Sequence, residues 1–286
     1  MMILVGLAGW GDHDSLYPQG TSPKDKLREY SIHFPVVEVD STFYAIQTPD
    51  RFARWSAETP DSFRFIVKAF QGMTGHQRGA VSADNADAMY AAFRESLRPI
   101  VGTGKLTAAL FQYPPWFDCA KENVRTLRDT KERMDGIPCA LEFRHQSWFA
   151  PEYREKTLAF MQEEGWIHSI CDEPQAGIGS VPTVLQATDP EVTIIRMHGR
   201  NVSGWNQSSA PNWREVRYLY QYNQQELTEW TAHIDQLKQH TKQICVIFNN
   251  NSGGHAACNA KELMTMLGLE TPDIAPPPTQ LDLFSP

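Results

Sequence analysis

Charged and amide side chains end several short apolar segments of this chain, where packing alone gives no reason for them. Val36-Val37-Glu38-Val39-Asp40-Ser41-Thr42 runs into two acids, and alternation puts Glu38, Asp40 and Thr42 on one face. Leu141-Glu142-Phe143-Arg144-His145 sets Glu142 and Arg144 on a shared face. Arg196 and His198 are related in the same way. Lys68, Gln112, Asp172 and Asn249 close four further apolar runs. Together these supply acids (Glu38, Asp40, Glu142, Asp172), bases (Lys68, Arg144, Arg196) and a histidine, His198.

Three chemistries could use the set. Lys68, Arg144 and Arg196 are suited to a phosphate or carboxylate, arginine offering a bidentate fork. Glu142 or Asp172 would then serve as general base and His198 as acid or proton shuttle, with Glu38, Asp40, Gln112, His145 and Asn249 contacting an anionic substrate. Alternatively Glu142, Asp172, His198 and Glu38 are ligand types for a divalent metal, although three cations would compete for the same carboxylates. A two-carboxylate glycosidase is the third option. The non-catalytic alternative is an ion-pair network that plugs the interior.

Elements able to bring these residues together can be read along the chain. Eight segments rich in Val, Ile and Phe read as strands: Met2–Ala8, Val36–Asp40, Phe63–Lys68, Thr107–Phe111, Cys139–Phe143, Ile167–Cys171, Val192–Met197 and Ile244–Phe248. Helical patterns follow most of them. Ser22-Pro23 opens one through Phe34, and Thr48-Pro49 opens another through Glu58. Asp84–Leu97 is expected to end before Pro99; Lys121–Met134, Pro151–Glu164, Gln225–His240 and Ala256–Leu267 complete the set. The stretch Gly179–Ala187 after the sixth strand has only a weak helical pattern. Such alternation calls for parallel strands and right-handed crossovers. Eight units predict a (β/α)8 TIM-like barrel over residues 1–268, with the charged residues at the C-terminal ends of its strands, where barrel active sites form. An open doubly wound sheet is less well supported, because no Gly-x-Gly-x-x-Gly follows the first strand. Long connections follow strands three (Gln71–Ala83) and seven (Gly199–Tyr222); the second interleaves Trp205, Trp213, Tyr218, Tyr220 and Tyr222 with Arg200, Arg214 and Arg217. Asp12-His13-Asp14, in the first loop, reads as a polar turn.

Composition narrows the partners. Lys and Arg number 26 against 34 Asp and Glu, a net charge of −8, which excludes broad electrostatic coating of nucleic acid. No apolar run is long enough for a membrane helix. Five dispersed cysteines without a Cys-x-x-Cys pair fit reduced thiols, so a cytoplasmic location is expected.

The stretches Gly6-Leu7-Ala8-Gly9-Trp10, Val37-Glu38-Val39-Asp40-Ser41-Thr42-Phe43-Tyr44, Phe63–Lys68, Phe111-Gln112-Tyr113-Pro114-Pro115-Trp116-Phe117, Leu141–Trp148, Arg196-Met197-His198-Gly199 and Phe248-Asn249-Asn250, with Asn259-Ala260, resemble the YecE-like family (domain of unknown function seventy-two). The resemblance covers roughly residues 1–268 in order and implies a TIM-like barrel. It implies no particular activity, substrate or catalytic residue. Asp40 stands where Asn is common in the family, and Gly11-Asp12-His13-Asp14 replaces a turn often rich in Trp and Tyr.

Residues 269–286 form an expected extended tail, with Pro272, Pro276, Pro277, Pro278 and Pro286, three acids and no base. Near its end Gln280-Leu281-Asp282-Leu283-Phe284 resembles the bacterial sliding-clamp binding motif. In such a peptide the glutamine amide sets register while Leu281, Leu283 and Phe284 fill apolar pockets. The expected function is therefore action on a phosphate-containing substrate, nucleic acid or nucleotide, by a protein recruited to replication or repair through the clamp. A phosphodiester hydrolase or related metal-assisted enzyme would fit. The alternatives are a sugar-phosphate isomerase or hydrolase with an incidental tail, and a non-catalytic clamp-bound adaptor.

Overall fold

A computed structural model of the chain describes residues 1–77, 83–205 and 216–269. Eight parallel strands close into a barrel in sequence order: β1 (Met2–Ala8), β2 (Val36–Val39), β3 (Arg64–Lys68), β4 (Leu106–Gln112), β5 (Cys139–Glu142), β6 (Trp166–Asp172), β7 (Val192–Met197) and β8 (Gln243–Phe248). Helices pack outside them: α1 (Lys26–His33), α2 (Pro49–Ala57), α3 (Ala83–Gly102), α4 (Lys121–Met134), α5 (Arg154–Glu163), the single turn α6 (Val202–Trp205), α7 (Gln224–Leu237) and α8 (His255–Met266). This is the expected TIM-like (β/α)8 architecture. Leu269, the first residue of the expected tail, packs against the core; residues 270–286, with Gln280, Leu281, Asp282, Leu283 and Phe284, lie outside the described residues.

Alternation sorts the strand side chains into two apolar layers. Leu4, Val36, Ile66, Leu110, Ala140 and Ile194 belong to the layer inside the barrel. Val37, Val67, Phe111, Leu141, Ile195 and Phe248 belong to the layer under the helices. One inward step further along seven of the eight strands, the residue type changes. Glu38 follows Val36, Lys68 follows Ile66, Gln112 follows Leu110, Glu142 follows Ala140, Ser169 follows Ile167, Arg196 follows Ile194 and Asn249 follows Ile247. An aliphatic plug therefore seals the lower barrel, and polarity begins at one level near the C-terminal mouth.

Several boundaries differ from expectation. Strand β2 stops at Val39, because Asp40 takes helical dihedrals and begins a 3-10 turn over Ser41–Phe43. Thr42 thereby leaves the strand; its hydroxyl donates to the carbonyls of Val39 (2.9 Å) and Lys68 (2.6 Å), tying β2 to β3. Helix α3 continues through Pro99 to Gly102, since the ring fixes a φ that helices tolerate and only one ladder bond is lost. Helix α1 begins at Lys26 after a turn in which Ser22 bonds Asp25 at 2.9 Å.

No helix separates β6 from β7; residues 173–191 are irregular and held by side chains. Thr183 donates to the Cys171 carbonyl and Thr188 to that of Trp166, substituting for a helical ladder. Buried Lys105 donates to the carbonyls of Ser56 and Thr59 at the end of α2. No disulfide joins the five cysteines, and no helix among the described residues is long and apolar enough to cross a membrane.

Candidate functional site

At the polar level, five strand-end side chains form one buried network. Arg196 meets Glu38 in bidentate fashion, Nε at 2.7 Å and Nη2 at 2.5 Å, and its Nη1 donates to Glu142 at 2.7 Å. The second carboxylate oxygen of Glu142 lies 2.7 Å from Nη2 of Arg144, whose Nη1 donates to Glu173 at 2.5 Å. Glu173 in turn accepts from the Val181 amide at 2.7 Å. Gln112 accepts weakly from Arg196 at 3.4 Å. None of these five charged side chains is more than 3% exposed. Two buried guanidiniums thus alternate with three carboxylates.

His198 completes the network without adding charge. Guanidinium groups can only donate, so the 3.0 Å approach of Arg144 Nη2 makes Nε2 of His198 an acceptor. The ring proton then resides on Nδ1, and the Asn249 side chain 2.9 Å away accepts it with its amide turned so that Oδ1, not Nδ2, faces the ring. Burial, reinforced by Arg144 and Arg196, holds the imidazole well below its ordinary range. Trp205 covers the assembly, 5.3 Å above the Arg144 guanidinium and 6.2 Å from the His198 ring.

Burial alone would raise every carboxylate here, and the partners decide the outcome. For Glu142, Arg144 and Arg196 together overcome burial and hold the group well below the usual range. For Glu173, burial prevails over Arg144 and the Val181 amide, and the carboxyl is pushed up to about 7. Glu38 is likewise raised by burial against the pull of Arg196.

Glu142, Cys171 and His198 place ligand-type atoms within 4.8 Å of one another, yet the surroundings do not fit a divalent cation. Both Glu142 oxygens face guanidiniums, Nε2 of His198 accepts from Arg144, and burial raises the Cys171 thiol well above its ordinary range. A metal would have to displace two fixed positive charges.

The structure brings Glu38, Gln112, Glu142, Arg144, Arg196, His198 and Asn249 together. Lys68 stands at the rim with its Nζ 3.8 Å from Asp40, whose side chain is 37% exposed, and 5.0 Å from the Phe43 ring centre. His145 lies apart, in the loop after β5, with Nδ1 2.7 Å from the Ser147 hydroxyl in a local cap.

Asp172 is not brought to the mouth. It has the opposite parity on β6, so its carboxylate turns outward to accept from Arg200 (2.9 and 2.8 Å) and from the Trp230 indole of α7. Arg200 also reaches Glu226, which closes a capping box with Asn223 at the start of α7. Asp172→Ala is therefore expected to lower stability by about 2–4 kcal/mol, by leaving Arg200 and Trp230 without their acceptor. Urea unfolding would show the loss, while ligand affinity at the mouth should be unchanged.

Sequence reasoning missed Glu173, Ser169 and His76. Ser169 donates to Glu142 at 3.3 Å, and Glu173 continues the inward face of β6 that Ser169 and Cys171 define. The available signal was size: Trp166 and His168 are too large for the inside of a narrow barrel. The long loop after β7 is pinned at its end by Asn259, which accepts from the Tyr222 amide and from Asn250 and donates to the Tyr222 carbonyl. Trp213 and Arg214 lie outside the described residues.

A family model described as "Protein of unknown function DUF72" matches residues 4–281. The UPF0759 protein YunF of Bacillus subtilis (strain 168) is 57% identical over 284 residues, covering 99% of this chain and 100% of that protein. The crystal structure of a DUF72 family protein from Enterococcus faecalis V583 is similar with a TM-score of 0.89 and 36% identity, over 98% of this chain and 100% of that one. A DUF72 family protein from Thermotoga maritima MSB8 aligns with a TM-score of 0.79 and 27% identity, over 94% of this chain and 100% of that one.

Proposed function

Given that the chain belongs to the DUF72 family, we propose that this member binds a phosphate-containing substrate at the C-terminal mouth of its barrel and is recruited to replication or repair through a sliding clamp. Lys68 carries the reading. Arg144 and Arg196 have carboxylate partners on several of their nitrogens, whereas the Lys68 ammonium stands outside that network, 3.8 Å from a half-exposed Asp40. Lys68 would hold the phosphate. The buried pairs beneath would fix the mouth electrostatically, since fully desolvated ion pairs are poor stabilisers and are better suited to pre-organising a site. Residues 280–284 would supply recruitment, and a tether raises local concentration without a basic surface.

Titration of the full-length protein with inorganic phosphate tests the first half. Lys68→Ala is expected to weaken binding about 10- to 100-fold, the size of a charge-assisted hydrogen bond; unchanged affinity would sink the assignment. A pull-down on a purified bacterial sliding clamp tests the second half. Retention of the full chain should be lost when residues 280–286 are removed, and equal retention of both forms would refute recruitment.

A second reading draws on the mutual pairing of Glu142, Arg144 and Arg196. Charges satisfied so completely among themselves also suit a non-catalytic adaptor, for which clamp binding would persist without any ligand at the mouth.

A further inference from the structure

The histidine chemistry expected at the mouth has no opening at His198, which is fully buried with both ring nitrogens engaged. Another histidine stands at the rim. His76 follows the 3-10 turn Gln71–Met73 after β3, with Nδ1 2.8 Å from the Thr74 hydroxyl. Among the described residues nothing takes its Nε2. Its ring stands edge-on to Phe43, centroids 5.0 Å apart, and to Trp116 at 6.1 Å. The same Phe43 ring lies 5.0 Å from the Lys68 ammonium. Burial, with Lys68 and Arg144 nearby, pushes His76 down to about 4, so the imidazole is neutral at ordinary pH.

Trp116 makes this cluster unusual. It comes from the loop after β4 and is 60% exposed, and Tyr44 beside Phe43 is 56% exposed. An indole in water forfeits a large burial gain, so an uncovered one at a barrel mouth points to a ligand with a flat face. A cation and an aromatic platform within one cluster complement a molecule with an anionic group at one end and a π surface at the other.

We propose that Phe43, His76 and Trp116 form a base-stacking subsite, in which the nucleobase of a nucleotide lies on Trp116 while its phosphate reaches Lys68. His76 offers Nε2 to the edge of the base. This rests on the phosphate reading above and names the substrate class for it.

Isothermal titration of the full-length protein with AMP, adenosine, ribose 5-phosphate and inorganic phosphate tests it. AMP should bind about 5- to 150-fold more tightly than ribose 5-phosphate, the size of one base stacked on an aromatic ring. Trp116→Ala should abolish that advantage and Trp116→Phe should retain most of it; both variants change an exposed side chain, and circular dichroism verifies their folding. AMP no tighter than ribose 5-phosphate, or AMP affinity untouched by Trp116→Ala, overturns the subsite. The phosphate reading survives that result if Lys68→Ala still weakens ribose 5-phosphate. Adenosine binding that depends on Trp116, with no gain from the phosphate, retains stacking and removes the phosphate reading. Absence of binding by all four compounds overturns both.

Discussion

Arg196→Met is expected to lower the free energy of unfolding by about 3–5 kcal/mol, because it strands Glu38 and Glu142 as buried, partly uncompensated carboxylates. Arg196 is 1% exposed and joins both acids within 2.7 Å, so no water can replace the lost donors without opening the barrel. Urea unfolding at neutral pH would show the shift in midpoint. The informative comparison is the triple variant Glu38→Leu, Glu142→Leu, Arg196→Met. Removing both signs of charge together takes away the desolvation cost as well as the attraction, so most of the lost stability should return. A triple variant as unstable as the single one would mean the network is held for stability. Recovery of stability together with loss of ligand binding would mean it is held for the mouth.

The second large effect concerns pH. Glu173 is pushed from an ordinary carboxyl value of 4.5 up to about 7 in the folded protein. Between those values the native state holds a proton that the unfolded chain has released, so the contribution of Glu173 falls as pH rises through the window. At 1.36 kcal/mol per pH unit the loss comes to about 3 kcal/mol. Buried and half-buried histidines work the other way. His13, His76, His168 and His198 all titrate below their ordinary value, and each favours the folded state as pH rises toward 6.5. The total pH profile is therefore mixed, and the clean observable is a difference. Glu173→Gln should cost stability at pH 5 and recover by about 3 kcal/mol relative to the parent at pH 8. Parallel profiles for the two proteins would show that Glu173 ionises normally.

The barrel was legible because the strands are short apolar runs, most of them followed by a helical pattern, and the strand count leads to closure. The polar level was legible for the same reason: Glu38, Glu142, Arg196 and Asn249 sit one inward step beyond aliphatic residues. Parity failed beyond Val39, where β2 gives way to a 3-10 turn, and on β6, where all seven residues are buried and no polar alternation distinguishes the faces. Asp172 and Glu173 are adjacent acids, and only the bulk of Trp166 and His168 tells which one turns inward. The partition between cations inside the buried network and the one at its rim was not legible at all. Lys68, Arg144 and Arg196 look alike in sequence, and what separates them is the three-dimensional supply of carboxylates. His76 was hidden for a further reason. It lies outside regular secondary structure, where no periodicity fixes the direction of a side chain.

The missing helix between β6 and β7 has a kinetic consequence. Glu173 is held by the amide of Val181, a residue of that irregular stretch, which no cooperative ladder of backbone hydrogen bonds supports. Segments fastened by scattered side-chain bonds open at lower cost than helices do. Beneath the network lies the aliphatic plug, and above it Trp205 forms a cover. The 173–191 stretch is thus expected to open more readily than the helices around it, which faster amide hydrogen exchange at Val181 than within β6 would show. Exchange of protons with the network is then expected to follow the opening of this flank.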